Sequence, residues 1–219
     1  IESINLVINN KKEPVTCIIG GSKISTKIKV ILSLIEKINN LIIVGAMANN
    51  FFIYKNLKVG KSLIENNTNE IINQIYTKAK KNNCEIIIPE DCVVSNSFEG
   101  EGKNKNIEQI EKNEIILDIG FNTIKKIKQI IDKSNTVLWN GPAGYFENKN
   151  FLNGTISIAE AISNNTYKST LISVLGGGDT LAAINKSKKK LCFSHLSTAG
   201  GAFLEYLEGK DLPGISVLK

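Results

Sequence analysis

The stretch Val15-Thr16-Cys17-Ile18-Ile19-Gly20-Gly21-Ser22-Lys23-Ile24-Ser25-Thr26-Lys27 decides the fold of this chain. Its first five residues form an apolar run of the length of a buried strand, and two glycines end it. From Ser22 to Ile38 apolar side chains recur at helical spacing, and the Ser22 hydroxyl can cap the helix start. The sequence therefore predicts a strand that passes through a glycine turn into a helix.

The same order of strand, turn and helix recurs along the rest of the chain. Such alternation is typical of a parallel sheet with helices on both faces. We therefore predict one α/β domain over residues 1–219, a three-layer, doubly wound, mostly parallel six-stranded sheet of Rossmann-like type. A segment without clear periodicity, 90–113, is expected to be a surface excursion such as a hairpin. Strands are predicted at 15–19, 41–44, 85–88, 115–117, 136–139, 171–175 and 191–195, and helices at 22–38, 45–54, 67–81, 123–131, 154–163, 180–184 and after Gly201.

The charge of the chain comes from lysine alone. Its 219 residues include 27 basic and 21 acidic side chains, a net charge of +6, and none of the basic residues is arginine. Proteins that read nucleic acids usually rely on arginine for bidentate contacts. The excess of Lys, Asn and Ile together indicates an AT-rich coding sequence, although a basic surface for RNA or an acidic partner stays open as the alternative.

No segment of the sequence suggests a membrane or an oxidising compartment. The longest apolar stretch is broken by Asn49 and Asn50, and no basic segment precedes an apolar one at the start. We therefore expect no membrane contact and a cytoplasmic location, with a plastid still open. The four cysteines are far from any CxxC spacing, so we expect them reduced, with no zinc site: Cys17, Cys84, Cys92 and Cys192.

Glycine-bearing turns follow most of the predicted strands. Because the carboxyl ends of parallel strands meet at one edge, where such sheets bind ligands, we expect these turns to surround a binding site. No GxGxxG pattern and no complete P-loop occurs, so a dinucleotide fold is poorly supported. The turns are Gly20-Gly21, Gly45, Asn140-Gly141-Pro142, Gly176-Gly177-Gly178 and Gly200-Gly201.

Two lysines in the first turn region indicate an anion site. Lys23 and Lys27 are four residues apart and are expected on one face of the helix, in its first turn and a half. Cations there oppose the helix dipole, and a bound anion would relieve the conflict. Two solvated lysines on a surface helix explain the pattern equally well.

Three later segments carry further candidate residues. Asp179 follows three glycines and is placed to hold Mg²⁺ or to cap the next helix. Glu147 could accept hydrogen bonds from two sugar hydroxyls, or be an ordinary loop acid. The turn after His195 suits an anion, and His195 itself is better read as a structural histidine than as a general base, because no partner nucleophile is indicated.

Taken in order, these segments resemble the C-terminal, nucleotide-binding lobe of phosphoglycerate kinases. Each match is weak alone, but the ordered set spans nearly the whole chain. The matching segments are Gly20 to Lys27, Val44-Gly45-Ala46-Met47-Ala48, Val59-Gly60-Lys61-Ser62-Leu63, Leu117-Asp118-Ile119-Gly120, Trp139-Asn140-Gly141-Pro142 through Glu147, Gly176 to Thr180, Ser194 to Thr198, and Leu207 to Gly214.

The resemblance implies reversible phosphoryl transfer between 1,3-bisphosphoglycerate with MgADP and 3-phosphoglycerate with MgATP. It implies that Lys27 contacts the nucleotide phosphates, Glu147 the ribose and Asp179 the Mg²⁺. It also implies that Gly45, Ala46 and Leu117 line the adenine pocket. The implied catalytic positions are Lys23, Gly178 and Gly200. The implied nucleotide-binding positions are Gly21, Ser22, Lys27, Gly45, Ala46, Leu117, Asn140, Pro142, Glu147, Gly176, Gly177, Gly178, Asp179 and Thr180.

The sequence departs from the family pattern in two ways. Ala46 and Ala199 stand where the family usually has glycine, which could alter adenine fit and anion approach. In the family an N-terminal lobe supplies the arginines and histidine that bind phosphoglycerate, and we expect that lobe to be absent here. Residues 1–10 resemble the end of the interdomain helix, and residues 207–219 the tail near the hinge.

We therefore expect a monomer that binds ADP or ATP with Mg²⁺ and is catalytically incomplete alone. Phosphoglycerate substrates should bind only together with the N-terminal lobe, and nucleic acid not at all. The alternative is a non-enzymatic, lysine-rich module for RNA or acidic partners. The absence of arginine and of aromatic residues interleaved with the lysines disfavours it.

Overall fold

The computed structural model describes residues 12–197. Strands and helices alternate along most of this range, as the sequence predicts. Two short 3₁₀ turns, Ile107–Gln109 and Lys149–Phe151, accompany them. The strands are β1 Val15–Ile19, β2 Asn40–Ile43, β3 Glu85–Ile87, β4 Asp91–Ser95, β5 Lys103–Asn106, β6 Ile115–Ile119, β7 Thr136–Asn140, β8 Ile172–Gly176 and β9 His195–Ser197, and the helices are α1 Ile28–Ile35, α2 Ala48–Tyr54, α3 Asn69–Lys81, α4 Phe121–Lys133, α5 Asn153–Tyr167 and α6 Gly178–Asn185.

The main sheet has six parallel strands in the order β3-β2-β1-β7-β8-β9. This confirms the predicted α/β fold with a mostly parallel six-stranded sheet. The chain order reverses beside β1, where β2 lies on one side and β7 on the other. In doubly wound sheets, ligands bind in the crevice beyond the strand ends at such a reversal.

Successive side chains of the central strands enter opposite layers of the core. On β1, Ile19 packs with the cluster that includes Val30 of α1 and Ile75 of α3. Its neighbour Ile18 packs with the opposite cluster, which includes Ile127 of α4 and Ile158 of α5. Because side chains alternate along a strand, a continuous apolar run is required when both faces are covered.

The predicted excursion is a hairpin that forms part of a second sheet. Strands β4 and β5 pair antiparallel, and β6 adds to the other side of β4. The predicted strand at 115–117 therefore lies outside the parallel sheet. Asp91, buried in β4, accepts backbone N–H bonds from Asn122 and Thr123 and so caps α4 from outside that helix.

The prediction that the first helix begins at Ser22 was wrong. Helix α1 begins at Ile28, Lys27 is its N-cap residue, and Ser22 caps nothing. The segment before it follows a turn path because Gly21 has a positive φ of 109° and the Glu65 carboxylate accepts the Ser25 N–H. Lys23 and Lys27 therefore do not share a helix face.

The last strand was also misplaced. It covers His195–Ser197 rather than 191–195. Just before this strand, the Ser173 N–H donates to the Ser194 hydroxyl oxygen at 3.1 Å. The Ser194 N–H donates to the Ser173 hydroxyl oxygen at 3.0 Å. At Ser173 and Ser194 these side-chain hydrogen bonds stand where backbone pairing between β8 and β9 would otherwise continue. The predicted helix after Gly201 lies outside the described residues.

No helix within residues 12–197 combines the length and the apolar character needed to cross a lipid bilayer.

Candidate functional site

A cleft of about 320 Å³ opens at the carboxyl edge of the parallel sheet. Its walls come from the turns after β1, β2 and β7, from β6, and from the start of α6. Four of the five predicted glycine turns lie at this edge, and Gly200-Gly201 is outside the described residues. Eight predicted binding residues line the cleft: Gly21, Ser22, Gly45, Ala46, Leu117, Pro142, Glu147 and Asp179.

The turns that form the floor of the cleft are held together by backbone contacts. The Gly45 N–H donates to the Ala143 carbonyl at 3.1 Å, and the Met47 N–H to the Gly21 carbonyl at 2.9 Å. A Cβ placed on Gly20 would lie 2.2 Å from the carbonyl oxygen of Pro142. No other residue fits at position 20 without displacing backbone, so the glycine there is a packing requirement.

Lys27 is anchored behind the floor by two hydrogen bonds. Its Nζ lies 2.7 Å from the Gly20 carbonyl oxygen and 2.7 Å from Asn140 Oδ1. Asn140 in turn donates from Nδ2 to the Gly176 carbonyl at 2.9 Å. One chain of side-chain contacts therefore connects the ends of β1, β7 and β8.

The pKa of Lys27 is lowered to about 8. Burial is the main cause, and it is opposed by the charge of Asp179. An ammonium group that lacks a full counter-charge in such surroundings gains from an anion in the cleft. The position can therefore bind a negatively charged ligand.

The start of α6 presents backbone to the same edge. Gly177 is the N-cap residue at a positive φ of 105°, and it has no side chain to occupy the free N–H groups of the helix. Asp179 is exposed in the first turn of α6 and is not the N-cap residue, so the predicted alternative of a helix-capping role does not explain an acid at this position. Thr180 is buried, and its hydroxyl accepts the Gly141 N–H and donates to the Gly176 carbonyl.

Several predicted residues lie near the cleft without lining it. Lys23 is fully on the surface, before α1, whereas Thr180 and Asn140 are buried behind the floor. Gly176 is the last residue of β8, and Gly178 has open space where a Cβ would be. Gly200, Thr198 and Ala199 lie outside the described residues, so the expected anion turn is not described.

Apolar residues that sequence reasoning missed complete the cleft. Leu63 and Phe98 are exposed by 56% and 47% and line it, and the Phe98 ring packs edge-on against Tyr145 with centroids 5.0 Å apart. A large apolar side chain inside the polar segment Ser97-Phe98-Glu99 was the available signal, because exposed apolar residues grouped at a cleft indicate ligand contact.

Within residues 12–197 there is no group of three or more His, Cys, Asp or Glu side chains that could hold a metal ion. A cation in this part of the cleft would depend on Asp179 together with oxygen atoms of a ligand. That arrangement suits Mg²⁺, which is commonly held by one or two carboxylates and phosphate oxygens.

The fold and the cleft define the class of protein: an α/β protein with a doubly wound parallel sheet and a ligand cleft at its carboxyl edge, built from glycine turns. The phosphoglycerate kinase family model matches residues 1–210. The chain belongs to the phosphoglycerate kinase family, as its ordered motifs suggest.

Individual relatives agree with this assignment. The chain is 42% identical to phosphoglycerate kinases of Wolbachia pipientis wMel and of Chelativorans sp., over all of its own length and 56% of theirs. It is similar to the structure of phosphoglycerate kinase from Coxiella burnetii, with a TM-score of 0.90 and 39% identity over 99% of this chain and 55% of that one. It is also similar to the structure of phosphoglycerate kinase from Pyrococcus horikoshii, with a TM-score of 0.82 and 27% identity over 99% of this chain and 54% of that one. The chain thus spans about half the length of the relatives it matches.

Proposed function

We propose that this chain is the nucleotide-binding half of a phosphoglycerate kinase, one domain that corresponds to the C-terminal lobe and binds MgADP and MgATP in the cleft. The observation that carries the proposal is the convergence of eight predicted binding residues, from five separate segments of the sequence, on a single cleft. Convergence of this kind is unexpected for residues that serve only local structure. We further propose that the protein is cytoplasmic and monomeric.

The proposed binding mode follows the electrostatics of the cleft. The nucleotide phosphates extend toward Lys27 and toward the free N–H groups at the start of α6, where positive charge and helix dipole act together. Asp179 would hold the Mg²⁺ together with phosphate oxygens. When bound, the ion neutralises charge on the phosphates during transfer.

The other end of the cleft suits a base and a sugar. Leu117, Gly45 and Ala46 line the cleft and would provide a largely apolar surface for adenine. Glu147 is exposed at the edge, where its carboxylate can accept bonds from ribose hydroxyls. Pro142 also lines the cleft.

The proposed reaction is reversible phosphoryl transfer between 1,3-bisphosphoglycerate and MgADP. Such transfer needs positioning and charge neutralisation rather than a protein nucleophile. Lys23, which is exposed before α1, would follow the transferred group, and Gly178 and Gly200 are the other catalytic positions that the family resemblance implies. Recognition of the phosphoglycerate is assigned to the half that the relatives have in addition, so this chain alone should transfer phosphate slowly or not at all.

A thermal-shift titration tests the proposal. A ligand at about 100 times its dissociation constant stabilises the folded state by roughly 2.7 kcal/mol, or about 5–10 °C for a chain of this size. We expect a saturable upward shift with MgADP, little with Mg²⁺ alone, and a reduced shift in Lys27→Met. Lys29→Met, a change of an exposed lysine on α1, is the matched control and should respond as the wild type does.

Two results would count against the proposal. A cooperatively folded sample that shows no shift with MgADP would contradict nucleotide binding. Salt-sensitive RNA binding that MgADP does not affect would favour the interaction module instead. Mixing the chain with the N-terminal half of the Wolbachia relative tests the catalytic part, because turnover should appear only in the mixture.

A further inference from the structure

A buried carboxylate that has no assigned role lies at the wall of the cleft. Asp118 is in β6, is only 2% exposed, and is among the residues that line the cleft. It accepts hydrogen bonds from two backbone N–H groups, that of Gly154 at 2.7 Å and its own neighbour Ile119 at 2.9 Å. Buried acids are rare unless they are paired, so this one requires an explanation.

The bond to Gly154 caps a helix from another part of the fold. Gly154 is the second residue of α5, and Leu152, the N-cap residue, provides no side-chain cap. Oδ2 of Asp118 satisfies the free N–H in its place. A negative charge at a helix N-terminus is also favoured by the helix dipole.

The residue next to Asp118 holds the other end of the same loop. The Leu117 carbonyl accepts the Tyr145 N–H at 2.6 Å. Two consecutive residues of β6 therefore fix the loop 145–154 at both of its ends. Glu147, the proposed ribose ligand, lies within this loop.

The carboxyl group fits between two glycines. A Cβ on Gly144 would lie 2.5 Å from Asp118 Oδ1, and one on Gly154 would lie 2.2 Å from it. Any other residue at either position would collide with the carboxylate. The glycines bring both ends of the loop against this one side chain.

We propose that Asp118 is a positioning residue of the cleft, whose carboxylate fixes the 145–154 loop and thereby places Glu147 for ligand binding. The inference rests on the proposed nucleotide function and deepens it. Asp118 does not contact the reacting atoms in this scheme. It acts through the loop, and it should therefore affect affinity more than the transfer step itself.

The strength of this attachment should depend on pH near neutrality. Burial raises the pKa of Asp118 to about 7. The hydrogen bonds from the Gly154 and Ile119 N–H groups act in the opposite direction and lower this pKa. The titratable group that faces it from β4 is the Cys92 thiol, whose pKa is raised by burial and by the charges of Asp91 and Asp118. The described part of the chain provides no ion pair to Asp118. While the Asp118 carboxyl stays buried, its ionised form is the stronger acceptor for the Gly154 N–H, so the loop should be held more firmly at pH 8 than at pH 6. The same ionisation lowers the stability of the fold as a whole, because the charge is buried.

Asp118→Asn and Asp91→Asn form a matched pair of variants for the test. Asp91 is also 2% exposed, also lies in the antiparallel sheet and also caps a helix, but it does not line the cleft. Calorimetry with MgADP at pH 6 and pH 8 should show about tenfold weaker binding for Asp118→Asn at pH 8. This variant should also lose the part of the wild-type pH response that arises from Asp118, whereas the part that arises from Lys27 should remain in all three proteins. Asp91→Asn should keep the wild-type affinity and the wild-type pH response, although it lowers stability.

The outcomes separate this inference from the proposed function. If the wild type does not bind MgADP, the proposed function fails. If it binds and Asp118→Asn matches Asp91→Asn in affinity and pH response, the role of Asp118 alone is overturned. If Asp118→Asn does not fold, amide hydrogen exchange of the wild type decides the matter. After correction for intrinsic exchange rates, the protection of the amides in 145–154 must then be lower at pH 6 than at pH 8, when compared with the amides at the start of α4. Equal protection at the two pH values would contradict the inference.

Discussion

The Nζ of Lys27 and the Oδ1 of Asn140 lie 2.7 Å apart although the two residues are separated by 113 positions in the chain. Lys27 precedes α1, and Asn140 ends β7, the strand that pairs with β1 in parallel. The side-chain amide of Asn140 in turn donates a hydrogen bond to the Gly176 carbonyl at the end of β8. The Lys27 ammonium, which lies behind Gly21 and does not itself line the cleft, is thus positioned by strand pairing.

Loss of the Lys27 charge should weaken binding of a nucleotide. Hydrogen bonds to charged groups contribute about 1.5–3 kcal/mol, so we expect MgADP affinity to fall roughly 10- to 100-fold in Lys27→Met. Calorimetry measures this change directly. Lys29→Met should bind as the wild type does, and equal weakening of both variants would indicate a general charge effect.

Proton uptake should accompany nucleotide binding at alkaline pH. With a pKa of about 8, most Lys27 side chains are neutral at pH 9, and an approaching phosphate raises that pKa. We expect uptake of roughly half to one proton at pH 9, by the Henderson–Hasselbalch relation. Calorimetry in buffers of different ionisation enthalpy measures it, and Lys27→Met should show none. An equal uptake by that variant would assign the proton to another group.

A methyl group at position 20 should destabilise the fold. In Gly20→Ala the new Cβ would meet the carbonyl oxygens of Pro142 and Gly141 at 2.2 and 2.8 Å. Overpacking of this kind costs about 1–3 kcal/mol, and the cost is at the upper end where backbone must move. Urea denaturation measures the free energy of unfolding. Gly178→Ala, where a Cβ meets nothing within 4 Å, should be neutral or slightly stabilising, and equal losses in the two variants would contradict the steric explanation.

The ionisation of Asp118 should make the protein less stable as pH rises. Because its folded-state pKa of about 7 lies above the ordinary value near 4, the folded state holds a proton that the unfolded state has lost. Stability from this group is therefore full below pH 4 and decreases until about pH 7. Between pH 5 and pH 8 the wild type should lose roughly 3 kcal/mol more than Asp118→Asn, at 1.36 kcal/mol per pKa unit. Parallel stability profiles for the two proteins would contradict the shifted pKa.

Lys186 should support the loop that carries Glu147. Its Nζ donates to the carbonyl oxygens of Phe146 and Glu147, at 3.0 and 3.1 Å, and lies 5.4 Å from the centre of the Phe146 ring. The side chain is exposed, so we expect Lys186→Met to weaken MgADP binding only about 2- to 10-fold. Lys190→Met, which changes an exposed lysine further along, should leave affinity unchanged. A Lys186→Met variant with wild-type affinity would show that the loop holds without this contact.

Much of the fold could be predicted from local patterns. The apolar runs at 15–19 and 136–139 match β1 and β7 almost residue for residue, because a strand covered on both faces must be apolar throughout. The edge strand β9 was predicted at 191–195 rather than at His195–Ser197 because its exposed and half-buried residues follow no apolar pattern. The antiparallel sheet was seen only as a hairpin, since Lys103–Asn106 is polar throughout and its pairing depends on β4.

The sequence by itself determined the alternation of strands and helices, and with it the edge of the sheet at which the glycine turns meet. Parallel strands point their carboxyl ends the same way, so residues after each strand must gather at that edge. Only the tertiary structure decided where α1 begins, how Lys27 reaches Asn140, and that Asp118 caps α5 beside the cleft. Each of these depends on contact between residues distant in the chain. Local periodicity carries no information about such contacts, because they arise when separate elements pack against one another.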